Sequence, residues 1–421
     1  MNAEGKETKE ISEISEEIAI NQRKRSEETE EESFVSSEKE PEVSVTRALW
    51  EEIFPEDTKE FLDYYYSVKT ADNRVQMRHT DGMITAMIHW NPYPVRICGN
   101  REDSCYLVAV ATKKEFRHQG QMAGLLQEGL RRCAAQQIPF VWLMPADPAI
   151  YEPFDFRYIY SKSEGEWPPE SESGEKCFAV SEPENKSSAE SEPEEKNMQD
   201  SQQEEKLRIR ILHPEEYQEA AAFLNRELAH RYDVYTERTA SYLSVTEAET
   251  QTEDGHAAAI FFSGAMVGIF SYWIEDTIII RELVTTPEYE SGEERDKLVR
   301  AIRSFFAEIP KPITVITTGW MGEKKPIIMA RPANLAALMT RIRTDQPQTF
   351  RFRISDPIIP ENNGCFLWKT GSASAVWQKI PEEVPVDYDF PIAQLTEWLF
   401  GIDPGKLSNQ RLLKSFFNEI V

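Results

Sequence analysis

The chain has 421 residues, of which 40% are hydrophobic, and it carries a formal net charge of −26. This length is expected to hold two or three domains, because a single core rarely grows past about 250 residues. The acidic balance argues against a nucleic-acid partner, which would require a basic surface. No apolar run of about 18 residues occurs and the first residues are polar, so we expect a cytoplasmic protein without a membrane partner or secretory signal.

Two segments rich in Glu and Ser are predicted to be disordered. Residues 1–45 hold 14 Glu against 6 Lys and Arg, and residues 161–206 hold 13 Glu and one Asp against 5 Lys. Such compositions cannot bury enough apolar surface to offset the conformational entropy that is lost on ordering. We therefore expect an acidic tail over 1–45 and an acidic insert over 161–206, with folded regions between and after them.

Residues 46–160 combine helix and strand patterns. Leu49, Trp50 and Ile53 recur at helical spacing, and Asp81-Gly82 favours a hairpin turn. The predicted elements are a helix from about residue 46, a helix at 58–68, strands at 75–78, 83–90, 94–98 and 105–112, a helix at 122–137 and a strand at 140–144. The strand at 105–112 is apolar on both faces, which is typical of a central strand in a sheet.

Residues 207–312 repeat much of this order, which suggests an internal duplication. The predicted elements there are a strand at 207–211, a helix at 215–232, strands at 257–262, 266–275 and 277–284, and a helix at 295–307. From about residue 313 the pattern changes to a third, α+β region. Its predicted elements are strands at 327–332, 350–354, 364–370 and 375–378, with helices at 333–342 and 392–400.

The segment from Val110 to Met122 is the most informative for function. A central strand runs into a loop in which Arg117 and Gly120 stand three residues apart, and a helix starts directly afterwards. Successive backbone N–H groups at a helix N-terminus suit a diphosphate, and Gly120 has no side chain to block its approach. Arg117 can add a charge-assisted contact. The segment therefore predicts a site for a cofactor that contains a diphosphate.

This loop resembles that of the GNAT acetyltransferases, which reads Gln/Arg-x-x-Gly-x-Gly/Ala, although Met122 stands where Gly or Ala is usual. Together with Met122, three further segments resemble the Eis-like (enhanced intracellular survival) acetyltransferases: Asn91-Pro92-Tyr93, Ile150-Tyr151-Glu152-Pro153-Phe154 and Asn418-Glu419-Ile420-Val421. Residues 328–335 resemble the opening of that family's C-terminal domain. The resemblance implies an α+β fold of tandem GNAT folds, each a mixed sheet flanked by helices, followed by a sterol-carrier-protein-like α+β domain.

The implied domains are an N-terminal GNAT domain with the acetyl-CoA site over 46–160, a second GNAT-like domain over 207–312 and the sterol-carrier-protein-like domain over 313–421. In the family the second GNAT region lacks a cofactor site, and the charges here agree with that. The loop after its central strand carries four glutamates around Gly292, namely Glu288, Glu290, Glu293 and Glu294. Like charges repel, so this loop is unsuited to a diphosphate.

The resemblance also implies roles for individual residues. Tyr151 looks like the family's general acid, and the C-terminal carboxylate of Val421 looks like its proton acceptor. Asp155 stands where the family generally has Gly, which bears on the turn near Tyr151. The strand can bind a thioester carbonyl through its N–H groups if it bulges near Val110. The predicted cofactor-binding residues are Val108, Val110, Ala111, Thr112, Arg117, His118, Gln119, Gly120, Gln121 and Met122, and the predicted acceptor-binding residues are Trp90, Tyr93 and Phe54.

These patterns predict an N-acetyltransferase that moves the acetyl group of acetyl-CoA to a small-molecule amine or lysine, of aminoglycoside, polyamine or lysine type, by direct attack. The five cysteines are scattered and without a CxxC pair, so no metal site is expected. The family's hexamers imply a homo-oligomer. Alternatives stay open: a non-catalytic binding or scaffold protein, Tyr151 as a packed aromatic, and Val421 in an inert docked terminus. His118 is expected to be solvated and His89 to be a wall residue.

Overall fold

The computed structural model describes residues 43–167, 206–317, 324–401 and 412–419. Residues 46–421 form one compact unit, which contains the elements named below. Nearly all of the predicted acidic tail, most of the predicted insert and Val421 lie outside the described residues. Within the described ranges, no helix is long and apolar enough to cross a membrane.

The elements of the first region lie close to those that its periodicity predicts. They are helices α1 (Arg47–Ile53) and α2 (Lys59–Ser67), strands β1 (Arg74–Thr80), β2 (Met83–Ile97) and β3 (Asn100–Thr112), helix α3 (Gln121–Ala135), and strands β4 (Phe140–Leu143) and β5 (Arg157–Trp167). Asp81-Gly82 and Cys98-Gly99 have positive φ at both positions and make two-residue hairpin turns on either side of β2. The strands predicted at 83–90 and 94–98 are therefore one long strand.

The second region repeats this order with two additions. Its elements are strand β6 (Arg208–Ile211), helix α4 (Tyr217–Ala229), strand β7 (Val234–Thr236), helix α5 (Ala240–Thr250), strands β8 (His256–Phe262), β9 (Ala265–Ile274) and β10 (Ile278–Thr285), helix α6 (Gly292–Phe305) and strand β11 (Ile313–Thr317). The additions are β6 and β7, because α4 and α5 stand where α1 and α2 stand in the first region. Helix α5 buries Thr246, Glu247 and Thr250 beside Leu243, so its buried face is largely polar and no hydrophobic period reveals it.

The remaining elements complete the large sheet and form a second, smaller sheet. They are strand β12 (Lys324–Pro332), helix α7 (Leu335–Met339), strands β13 (Gln348–Ser355), β14 (Gly364–Thr370), β15 (Ala375–Ile380) and β16 (Tyr388–Pro391), helix α8 (Ile392–Phe400) and strand β17 (Ser415–Phe416). The smaller sheet has the strand order β15-β14-β13-β16. Trp398 of α8 packs on its inner face, with its ring 5.4 Å from that of Phe352.

One mixed sheet extends through the first two regions. Its strand order is β17-β7-β2-β3-β4-β12-β5-β11-β10-β9-β8-β6, and β1 pairs with β2 outside this path. Strand β12 is inserted between β4 and β5, and it pairs antiparallel with both. Strands β11 and β12 therefore belong to the large sheet, and the smaller sheet begins only at Gln348.

Two further differences from the predicted boundaries have clear physical causes. Strand β5 continues to Trp167, seven residues into the segment predicted as a disordered insert, because it pairs with β11 up to Trp167 and Ile313 and buries the Trp167 ring. Near the C-terminus, the run with Leu413, Phe416 and Phe417 is buried. This run is an extended segment, in which β17 pairs parallel with β7.

Candidate active site

The central strand β3 carries a bulge at Ala109. His89 of β2 pairs with Val108, and Met87 pairs with Ala111, so Ala109 and Val110 together face the single residue Ile88. Ala109 has a φ of 49°, a left-handed conformation that costs a residue with a side chain about 1 kcal/mol. A bulge turns backbone N–H groups away from the neighbouring strand. The bulge lies at the position where a thioester-binding strand would require one.

Strands β3 and β4 separate immediately before the bulge. They pair in parallel only through Cys105 with Val141 and Tyr106 with Trp142. Beyond Tyr106, the edge of β3 that faces β4 has no strand partner among the described residues, while the opposite edge of β4 is held by β12. A cleft therefore opens beside residues 107–112. Four of the predicted cofactor-binding residues, Val108, Val110, Ala111 and Thr112, line this open edge.

The loop after β3 presents a row of free backbone amides. The N–H groups of residues 118–123 make no hydrogen bond to any residue that the structure describes, and those of 121–123 belong to the first turn of α3. His118 and Gly120 have φ values of 60° and 77°. A Cβ on Gly120 would meet no atom within 4 Å, so glycine is favoured there by the backbone angle and not by lack of space. Amides in this arrangement at a helix start favour anions.

The side chains of the loop leave these amides accessible. Arg117 is exposed and donates from Nε to the carbonyl oxygen of Thr112 at 3.1 Å, and Gln119 is exposed and donates to the carbonyl oxygen of Glu115 at 2.9 Å. Gln121 turns inward and accepts a hydrogen bond from Thr85 Oγ1 at 2.6 Å. The side chain of Met122 packs against the core while its backbone amide faces outward, so a large residue is tolerated at this position. The predicted cofactor-binding residues thus lie along one stretch of backbone that runs from the edge of β3 to the first turn of α3, with the side chains of Val108 and Ala111 buried.

The second region carries a similar bulge in a closed environment. Glu282 of β10 has a φ of 56°, and the register of β10 against β9 shifts between Arg281 and Val284. The Glu282 carboxylate accepts a hydrogen bond from Arg238 Nε at 2.6 Å, and both residues are buried. A buried ion pair thus occupies this bulge, and the loop that follows β10 carries Glu288 and Glu290.

Tyr151 follows β4 and is 7% exposed. Its ring packs against Phe156, with the ring centroids 6.0 Å apart, and its hydroxyl makes no hydrogen bond to the described residues. Burial raises the pKa of Tyr151 to about 12, so it is protonated at neutral pH and can donate a proton. Asp155, at the position where the sequence pattern departs from the expected Gly, has a φ of 65°. That angle is tolerated by Asp more readily than by most residues.

A cavity of about 700 Å³ lies at the other end of β3 from the amide loop. It is formed by β2, the start of β3, the segment after α2, helix α5 and the C-terminal segment. Its lining residues are Val68, Lys69, Asn73, Pro92, Tyr93, Pro94, Arg101, Asp103, Ser104, Glu237, Thr239, Ser241, Tyr242, Ser244, Val245, Thr246, Glu249, Arg281 and Glu419. The cavity reaches the point where β3 and β4 separate. Its Tyr93 ring lies 5.5 Å from the Trp142 ring, and its Ser104 accepts a 2.8 Å hydrogen bond from Trp142 Nε1.

Of the three predicted acceptor-binding residues, Tyr93 alone lines this cavity. Trp90 lies on the opposite face of β2, where its ring fills the space above Gly129 of α3, and a Cβ on Gly129 would overlap that ring. Phe54 packs against Trp50 at a ring distance of 6.1 Å. The neighbouring His89 bonds to Thr46 Oγ1 at 3.0 Å, and burial lowers its pKa to about 3. It is therefore a neutral wall residue.

Sequence reasoning missed three charged residues of the cavity. Lys69 follows α2, Arg281 lies in β10 and Glu419 lies in the C-terminal segment, so they come from distant parts of the chain. Glu419 is 3% exposed and its Oε1 accepts hydrogen bonds from Arg238 and Tyr242, each at 3.0 Å. In the sequence, Glu419 stands out only as part of the terminal motif Asn418-Glu419-Ile420-Val421, and Val421, the predicted base, lies outside the described residues. Within the described ranges, no group of three or more His, Cys, Asp or Glu residues is arranged to hold a metal.

Comparison with known proteins decides the class of chemistry. Residues 35–159 match a family model described as an acetyltransferase (GNAT) domain. These residues form a GNAT acetyltransferase domain, which supports an acyl-CoA-dependent N-acetyltransferase. The matched range contains the bulge, the amide loop and Tyr151. No curated protein matches the sequence.

Solved structures agree on the fold. A GCN5-related N-acetyltransferase from Anabaena variabilis superposes with a TM-score of 0.66 at 14% identity, covering 90% of this chain and 92% of the other. A probable N-acyltransferase of unknown function from Enterococcus faecalis gives 0.65 at 16% identity, covering 86% and 88%. Eis1 from Mycobacterium abscessus gives 0.58 at 12% identity, covering 90% and 98%. At these identities the likeness shows the fold alone, a mixed α/β GNAT-like fold with helices flanking the sheets.

Proposed function

We propose that this enzyme transfers the acetyl group of acetyl-CoA to the amine of a small molecule by direct attack. The observation that carries the proposal is the stretch of backbone from the Ala109 bulge, along the edge of β3 that has no strand partner among the described residues, to the amides before α3. Such a stretch matches an extended ligand with a diphosphate at one end and an acyl group at the other. No second stretch of this kind occurs in the described residues, because the bulge at Glu282 is closed by Arg238.

In this proposal the loop binds the diphosphate. The amides of residues 118–122 donate to its oxygens, and the dipole of α3 adds a favourable field at the same end. Arg117 swings from the Thr112 carbonyl to make a charge-assisted contact. The equivalent loop of the second region carries Glu288 and Glu290 before its helix, which supports a single cofactor site.

The reaction requires a polarised carbonyl, a proton donor for the sulfur and a proton acceptor for the amine. N–H groups turned out by the bulge polarise the thioester carbonyl, the amine nitrogen bonds to the acetyl carbon, and the C–S bond breaks. Protonated Tyr151 donates to the leaving sulfur. The C-terminal carboxylate of Val421 takes the proton of the amine, a role that rests on the Eis-like resemblance.

The same resemblance gives the finer arrangement that we propose. Residues 46–160 and 207–312 are tandem GNAT folds, and the region that follows is a sterol-carrier-protein-like domain. The two bulges, each in a strand that leads through a loop into a helix, support the tandem relationship. Because β11 and β12 lie in the large sheet, the third domain is better placed after Pro332 than from residue 313. The proposal extends to a cytoplasmic homo-oligomer, a hexamer as in that family.

The test uses the purified full chain. Calorimetry measures coenzyme A binding, and thiol release is followed with acetyl-CoA and a panel of polyamines, aminoglycosides and lysine peptides. Arg117→Glu is expected to weaken coenzyme A binding at least about tenfold, whereas Arg208→Glu, on the exposed strand β6, leaves it intact. Absence of both binding and thiol release across the panel would overturn the proposal in favour of a non-catalytic scaffold protein.

A further inference from the structure

The charges around the 700 Å³ cavity are mixed in sign, which constrains what the cavity can hold. Its wall carries the cations Lys69, Arg101 and Arg281 together with the carboxylates of Asp103, Glu237, Glu249 and Glu419, and Arg101 is paired with Glu237 and Asp103. A polyamine or aminoglycoside carries several positive charges, and the remaining cations, Lys69 and Arg281, would repel it. A purely anionic molecule would be repelled by the carboxylates. The wall is suited to a molecule that carries both signs.

Arg281 has a hydrogen-bond donor without an acceptor among the described residues. Arg281 is 6% exposed, and its Nε makes no hydrogen bond to any of them. The carboxylate that bonds it belongs to Glu249, whose Oε1 lies 3.4 Å from an Arg281 Nη atom, and the charges of Glu282 and Glu419 also act on it. A buried guanidinium N–H without an acceptor is costly, so this side chain has room for an anionic ligand group.

Lys69 is the second cation of the cavity, and unlike Arg281 it has no ion pair with a carboxylate of the described residues. Its Nζ donates to the Tyr93 hydroxyl, and no carboxylate of the described residues lies within ion-pair distance of it. Burial lowers the pKa of Lys69, while Glu249 and Glu419 act in the opposite direction. An ammonium so little exposed and without a counter-ion gains from a ligand carboxylate.

Glu419 lines the same cavity as Tyr93 and Ser104, which contact Trp142 at the last rung that joins β3 to β4. An acceptor amine held there faces the end of the cleft that opens beside β3. Cations and carboxylates thus provide separate binding partners for the two ends of one small molecule.

We propose that the acceptor is a zwitterionic amine of the amino-acid class, whose carboxylate is bound by Lys69 and Arg281 while its amine lies beside Glu249 and Glu419. This inference rests on the proposed function and narrows it, since it excludes simple polyamines as preferred acceptors. It concerns recognition only and leaves the transfer chemistry as described above.

The test compares acceptors that differ only in the carboxylate: L-lysine with cadaverine, and L-phenylalanine with phenethylamine. The full chain is expected to acetylate each amino acid with a kcat/KM at least about tenfold above that of its decarboxylated partner. Lys69→Met and Arg281→Gln are each expected to lower this ratio about tenfold, and Lys59→Met, at an exposed position of α2, leaves the ratio unchanged.

Equal or better acetylation of the decarboxylated amines would overturn the proposal of a zwitterionic acceptor. Variants that lower kcat/KM equally for both acceptors of a pair would also overturn it. Calorimetric binding of L-lysine in the presence of coenzyme A gives a second readout, expected to weaken in Lys69→Met. Failure of the proposed function looks different, because coenzyme A then does not bind and no amine releases thiol. Normal coenzyme A binding together with preferred acetylation of polyamines would overturn only the proposal of a zwitterionic acceptor and would leave the proposed function intact.

Discussion

Ala109 in β3 and Glu282 in β10 hold the same left-handed backbone conformation, with φ values of 49° and 56°. Each lies at a bulge in a strand that pairs in parallel with the next one, β3 with β4 and β10 with β11. The two sites differ in the side chain at the bulge. A small alanine leaves the first bulge open, whereas the glutamate of the second is held by buried Arg238. Strain of this kind persists where the surrounding structure enforces it, often at functional sites.

Substitutions at Ala109 test whether the bulge is strained and required. Ala109→Val places a β-branched side chain in a left-handed conformation and is expected to lower the free energy of unfolding by about 1–3 kcal/mol, with weaker coenzyme A binding. Ala109→Gly relieves the strain and is expected to keep both. Urea unfolding and calorimetry measure the two effects. Identical behaviour of the two variants would contradict a strained bulge.

A substitution at Gly120 tests whether the backbone conformation of the amide loop is required for coenzyme A binding, apart from its effect on stability. Gly120→Ala is expected to cost about 1 kcal/mol, because φ is 77° and no neighbour would clash with the new Cβ. If the loop relaxes toward negative φ, its amides turn and coenzyme A binds about five- to tenfold more weakly. The control is Gly264→Ala, at a φ of 83° in the β8–β9 turn. It should show the same stability cost with coenzyme A binding unchanged, and an equal loss of binding in both would contradict the assignment of the loop.

Arg238 joins the second region to the C-terminal segment. It is fully enclosed and bonds Glu282 Oε1 at 2.6 Å and Glu419 Oε1 at 3.0 Å. Arg238→Ala leaves two buried carboxylates without their cation, so we expect a loss of about 3–5 kcal/mol in denaturant unfolding. Arg210→Ala breaks an ion pair with Glu216 at the surface and should cost no more than about 1 kcal/mol. Similar costs for the two variants would show that Arg238 is not structurally important.

Much of the element order could be predicted, because it depends on local patterns. Helix α8 and strand β14 have the bounds that the periodicity predicts, and Asp81-Gly82 forms the turn that its residues favour. The pairing of distant strands could not be predicted. Strand β12 enters between β4 and β5 across more than 150 residues of chain, and nothing in its own alternation specifies those partners.

The candidate site divides in the same way. The loop from Arg117 to Met122 is contiguous, so its motif could be recognised in the sequence. The cavity is assembled from Lys69, Arg281 and Glu419, which no spacing connects. Trp90 and Tyr93 could not be distinguished by residue type, because only the register of β2 decides that one faces α3 and the other the cavity.

His89 is expected to make stability depend on pH. Burial lowers its pKa to about 3 from 6.5, so the unfolded chain binds a proton more readily than the folded chain between these values. The stabilisation from neutral His89 is complete above about pH 6.5 and is lost as the pH falls toward 3, by up to about 1.4 kcal/mol per unit. Unfolding at pH 7 and pH 5 should show a smaller loss in His89→Gln than in the parent chain. Equal losses would contradict a buried neutral imidazole.

Tyr151 gives the sharpest test of the chemistry. Tyr151→Phe keeps the ring that packs on Phe156 and removes the proton donor, so kcat is expected to fall about 10²–10⁴-fold with little change in coenzyme A binding or melting temperature. Because the pKa of Tyr151 is raised to about 12, the parent enzyme should show no loss of kcat from ionisation of this residue below about pH 11. Tyr158→Phe, in β5, is the matched control and should retain full activity. A Tyr151→Phe variant with unchanged kcat would show that the sulfur takes its proton from another source, and the role proposed for Tyr151 would have to be withdrawn.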